Sequence, residues 1–131
     1  MADSYYVLDC EGLSRAVLGE RAMSARLKDA HRVGITVVTS SMTLIEAWHS
    51  EIRRPVWDWR MSRIVVEPVT REVADAAIAL LDDTGLHGHK YALDAALAVI
   101  AGRQPGDVVL YTSDEDDLNK LCHPRVRVRP L

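Results

Sequence analysis

YYVLD, residues 5–9, is a short apolar run of strand type that ends in an acid. The segment after it changes period. In EGLSRAVLGERAMSARLKDAHRVG, Leu13, Ala16, Val17, Met23, Leu27 and Ala30 fall at helical spacing, and Gly34 can stop one helix running through residues 11–33. ITVVT (35–39) is a β-branched strand, and SSMTLIEAWHSEIRR reads as a helix ended before Pro55. RIVVEPV (63–69) is a third strand. TREVADAAIALLDD places Val73, Ala77, Leu80 and Leu81 on one helical face, with Gly85 beyond it. DVVLYT (107–112) is a fourth strand, DEDDLNKL a short helix, and VRVRP (126–130) a final edge strand. Apolar strands alternating with helices specify an α/β protein with a mainly parallel sheet covered on both faces.

The 131 residues point to one domain, 1–131, and 48% hydrophobic content can fill its core. No apolar run approaches the ~18 residues of a membrane span. The start, MADSYYVLDCEG, lacks a basic segment followed by a long apolar one, so no secretory signal is expected and a cytoplasmic location is. Cys10 and Cys122 have no metal-type spacing and are expected to be reduced. A net charge of −3 argues against gripping nucleic acid by bulk positive charge. The charges segregate, however. RRPVWDWRMSR (53–63) and RVRVRP (125–130) are basic, and TSDEDDL (112–118) is acidic.

Open parallel sheets build sites outside the carboxyl ends of their strands. Asp9 ends the first strand and Asp114 follows VVLYT, with Asp116 and Asp117 close by. Glu46 lies in the helix after ITVVT. Asp94 interrupts KYALDAALAVIA (90–101), where it shares a face with Leu97, Ala98 and Ala101. Each acid has a plain structural role open to it. Glu46 could close a capping box with Thr43, Ser113 or Asp114 could cap the last helix, and Asp9 could be an exposed strand-end acid. Asp94 is harder to place, because a buried carboxylate needs a cation or shifts its pKa. Lys90, four residues earlier, is one such cation. A divalent metal shared with the other acids fits better, and an oxygen-only ligand set suits Mg²⁺ or Mn²⁺.

This ordered set resembles the PIN-domain ribonucleases, and among them the VapC toxins of bacterial toxin–antitoxin pairs. It comprises Asp9 ending an N-terminal strand, Glu46 after the second strand, Asp94 in an apolar DAALA helix, and Asp114 in TSDEDDL. The resemblance spans nearly the whole chain. It implies a three-layer α/β/α sandwich with a sheet of four to five strands, and a catalytic set of Asp9, Glu46, Asp94 and Asp114. It also implies metal binding by Asp9, Asp94, Asp114 and Asp117, with Asp116 as rival to Asp117. The family usually has a small hydroxyl residue two places after the first Asp; here Glu11 stands there, an added carboxylate beside the metal. The activity implied is Mg²⁺-dependent hydrolysis of RNA phosphodiesters. The partners implied are a neutralising antitoxin and a second copy of the chain, with no membrane role.

His89 precedes the Asp94 helix and is a candidate phosphate contact. Trp57 and Trp59, interleaved with Arg53, Arg54, Arg60 and Arg63, suit RNA stacking, an antitoxin groove or a dimer face. Core packing of at least one tryptophan is the plainer role. Two other functions compete: a small metal-dependent phosphohydrolase, and a non-catalytic PIN-like RNA-binding module. The first often uses D-x-D, where this chain has Asp9-Cys10-Glu11.

Overall fold

The computed structural model describes residues 3–131. Five strands form one sheet: β1 (Ser4–Leu8), β2 (Thr36–Ser40), β3 (Val65–Glu67), β4 (Asp107–Thr112) and β5 (Val126–Pro130). All four pairings are parallel, and the order is β3-β2-β1-β4-β5. The chain leaves β1 in one direction for β2 and β3, then returns to build β4 and β5 on the other side. The boundary between β1 and β4 is therefore a topological switch point, where a crevice opens at the carboxyl ends of the strands.

Helices cover both faces, as the α/β/α expectation requires. Leu8, Leu13, Met23, Leu27 and Val37 join one core layer, with α1 (Cys10–Val17), α2 (Arg21–Val33) and α4 (Arg54–Met61). Val7, Val38, Leu97, Val108, Leu110, Val126 and Val128 join the other, under α5 (Arg71–Thr84), α6 (Gly88–Gly102) and α7 (Glu115–Leu121). Adjacent strand residues thus feed opposite layers, following the period of two along a strand. α3 (Ser41–Ala47) sits at the end of β2. Among the described residues no helix is long and apolar enough to cross a membrane.

Two helices differ from the sequence expectation. Residues 11–33 do not form one helix. Gly19 adopts φ +76°, and Glu20 caps a new start by accepting from Met23 N at 2.8 Å. A left-handed glycine breaks the hydrogen-bond ladder at little cost, which the apolar spacing on either side does not reveal. Pro55 does not follow a helix but begins one, in the first turn of α4, where its missing N–H costs nothing. Gly34 and Gly85 end α2 and α5 as expected.

Candidate metal centre

Asp9 is 7% exposed and held on three sides. Its Oδ1 accepts from Gly12 N at 2.8 Å, which caps α1. Its Oδ2 accepts from Thr112 Oγ1 at 2.7 Å and Ser113 N at 3.1 Å, which ties β1 to the end of β4 across the switch point. The exposed-acid role for Asp9 is thereby excluded. A carboxylate offers about four lone-pair directions, so roughly one remains free toward the cleft.

That cleft has a volume of about 280 Å³ and is lined by Asp9, Cys10, Glu11, Thr43, Glu46, Leu93, Asp94, Leu97, Ser113 and Asp114. Asp94 reaches it from the second turn of α6, at a half-buried position backed by Ala95, Leu97 and Ala98. Burial, followed by the charges of Asp114, Asp9, Asp117 and Glu46, pushes its carboxyl from 3.8 up to about 6. Lys90 does not relieve this. It is exposed, its Nζ lies 5.1 Å from the Tyr91 ring centroid, and the ion pairs among the described residues do not include it.

Asp94, Asp114 and Asp117 come closest together: each offers a carboxylate oxygen, all within 4.8 Å of one another. Asp114 leads into α7 without capping it, and Ser113 does not cap it either. The Asp117 carboxyl beside it raises the Asp114 carboxyl from its ordinary value. Asp117 completes this group, whereas Asp116 is exposed and lies outside it. The Glu46–Thr43 capping box is absent because α3 begins at Ser41 and is capped by Ser40, whose Oγ accepts from Met42 N at 3.1 Å. Glu46 lines the cleft instead. Glu11 lines it too, but its carboxylate pairs with Arg15 at 3.2 Å. His89 is exposed in the first turn of α6 and is absent from the cleft lining.

Two groups at the site had no sequence signal. Thr112 orients Asp9 from a buried position that reads as the last residue of a strand, and Cys10 lines the cleft. Burial, then Glu46, Asp9 and further acids, push the Cys10 thiol up to about 11. Cys10 and Cys122 are both free, as expected.

The basic tryptophan segment divides. Trp57 is buried and packs edge-on against Trp48 at 5.1 Å, so it is a core residue and not a contact surface. Trp59 is half exposed between Arg60 and Arg63, with guanidinium-to-ring distances of 4.9 and 4.6 Å. Together with α2 they border a groove of about 420 Å³, floored by Leu27, Ile35, Val37 and Ile64 and rimmed by Lys28, His31, Arg60 and Arg63. Arg54 pairs with Asp58 at 3.1 Å, and Arg53 precedes α4 in solvent.

No family model matches the sequence, and no curated protein sequence matches it. Among solved structures, the fold is similar to that of a chain in the crystal structure of VapBC2 from Rickettsia felis bound to a DNA fragment from their promoter. The TM-score is 0.69, with 14% identity over 97% of this chain and 98% of that one. The α/β/α sandwich expected from the four acids is thus the fold observed, and at that identity the likeness is one of fold.

Proposed function

We propose that the protein is a metal-dependent endoribonuclease and the toxin of a toxin–antitoxin pair, working with Mg²⁺ or Mn²⁺. One observation carries this reading. Three aspartates converge at the switch point with no ion pair to any of them among the described residues, and burial together with the neighbouring acids drives Asp94 toward neutrality. A structural ion pair would not leave that charge uncompensated. An all-carboxylate donor set suits a hard divalent ion.

Asp94, Asp114 and Asp117 would hold the ion. When bound, it supplies neutralisation of the phosphodiester charge and acidification of water. The chain's own residues do the rest. Thr112 and the Gly12 and Ser113 amides fix Asp9 in orientation, which places a fourth carboxylate in the same cleft. Glu46 faces it from α3, where it can accept a proton from attacking water. Leu93 and Leu97 make one wall apolar, which strengthens every charge interaction inside.

The likeness to a VapBC2 chain supports the partner half of the reading. The groove between α2 and α4 is the proposed antitoxin seat, since its apolar floor and cationic rim suit an acidic amphipathic segment. Arg60, on that rim, donates from Nη2 to Ser24 Oγ at 2.9 Å, which fixes its guanidinium beside the groove. For the homodimer, Ile78 is exposed on α5 beside Leu81 and Leu86, an apolar face fit for a second copy.

The test is to incubate purified protein with total RNA in Mg²⁺ or EDTA and to sequence the cut ends. Cleavage confined to Mg²⁺, leaving 5′-phosphate and 3′-hydroxyl ends, is expected. Cyclic-phosphate ends, or full activity in EDTA, would sink the reading.

A further inference from the structure

On the face of the sheet shared with α1 and α2, partnered residues form two rows. One runs Val37, Tyr6, Val109, Arg127, and the next runs Leu8, Tyr111, Arg129. Exposure rises along each row. Val37 and Leu8 are buried, the tyrosines and Val109 half-buried, and both arginines exposed. Val126 and Val128, the alternate residues of β5, enter the opposite core layer. The helical cover therefore thins out before β5 on this face.

Arg26 of α2 stands at the margin of the cover. Its guanidinium lies 4.0 Å from the centroid of Tyr111, whose ring meets Tyr6 edge-on at 5.1 Å. Arg26, Arg127 and Arg129 take no part in the ion pairs among the described residues. Asp29, an acid of α2 near Tyr6, is paired with Arg32 at 3.5 Å. Among the described residues the Arg129 side chain makes one hydrogen bond, from Nη1 to the carbonyl of Val128 at 2.9 Å.

Free guanidinium groups beside tyrosine rings suit a flexible polyanion that carries planar bases. β4 runs from this face to the acid cleft. Tyr111 is followed by Thr112, Ser113 and Asp114, and Leu131 N donates to Thr112 O at 3.2 Å. A cleft built of acids repels a phosphate chain everywhere except at its metal, so the strand has to be held beside it.

We propose that the open β4–β5 face binds the single-stranded arm of an RNA whose scissile bond lies in the acid cleft. Arg127 and Arg129 contact phosphates, and Tyr111 with Arg26 receives a base. This rests on reading the cleft as a nuclease site. A peptide strand added to the β5 edge is the competing occupant. The alternating arginines and Pro130 disfavour it, because charge and proline are devices that protect sheet edges.

The test uses the full chain in EDTA and a fluorescent single-stranded oligouridylate, with binding followed by anisotropy across a salt series. Arg127→Ala with Arg129→Ala is expected to weaken binding about tenfold and to lower the salt slope by roughly 1.4, about 0.7 for each lost single-strand phosphate contact. Arg127→Lys with Arg129→Lys is expected to restore most of the slope, which a folding defect would not do. Hydrolysis of bis(p-nitrophenyl) phosphate with Mn²⁺, a diester too small to reach β5, reads the cleft separately. It is expected to be equal in all three proteins, and its absence from the wild type would overturn the nuclease reading alone. An unchanged slope in the alanine variant, or no oligouridylate binding by the wild type, overturns the strand path.

Discussion

Asp9 gives its two oxygens to three donors, whereas Asp94 faces other acids and makes no ion pair among the described residues. Removing the charge at the two positions should therefore act in opposite directions. Asp9→Ala removes a helix cap and two cross-sheet bonds, and should cost about 2–4 kcal/mol in denaturant unfolding. Asp94→Asn in EDTA at neutral pH should be at least as stable as wild type, because it removes a repelled charge. The pH dependence fixes the sign. A folded pKa of about 6, above the usual carboxylate value, means that the folded state keeps a proton which the unfolded chain releases. Metal-free wild type should thus lose stability as pH rises from about 4 through 6, then level off. Asp94→Asn should show a clearly smaller slope, the raised Asp114 carboxyl keeping the remainder, and an undiminished slope would move the cause to another group. Asp94 was legible in the sequence because a carboxylate in an apolar helix breaks a pattern. Thr112 was not, because a threonine ending a strand fits one.

At the scale of elements, the strands were legible because their β-branched runs have no competing reading. DVVLYT and VRVRP match β4 and β5 residue for residue. Helix breaks were not, since spacing on either side of Gly19 continues the same apolar face. Pro55 illustrates the same weakness: a proline marks a helix boundary without saying which side the helix is on. α4 also separates the two tryptophans, burying Trp57 as the plainer reading of core packing expected and leaving Trp59 half exposed. Trp57→Ala should cost about 3–5 kcal/mol, as expected for an emptied core site, while Trp59→Ala should stay within about 0.5 kcal/mol. Loss of antitoxin binding in Trp59→Ala, measured by calorimetry, is the outcome that the α2–α4 groove predicts.

Over the whole molecule, one topological fact gathers the site. The strand order 3-2-1-4-5 sets the ends of β1 and β4 side by side, which brings Asp9 next to Thr112 and Ser113 and leaves Asp94 to enter from α6. Sequence order placed Asp9 and Asp114 at strand ends and Glu46 and Asp94 in helices, but could not measure which three acids converge. The group proved to be Asp94, Asp114 and Asp117, with Asp9 and Glu46 lining the same cleft. The central claim is that this convergence exists for a divalent ion. Thermal unfolding of wild type and Asp94→Asn, each in EDTA and in Mg²⁺, tests it most directly. Mg²⁺ at a hundredfold excess over its dissociation constant should add about 2.7 kcal/mol to the wild type and much less to the variant. A variant markedly less stable than wild type in EDTA, with Mg²⁺ stabilising neither protein, would mean that Asp94 serves the fold and not a metal.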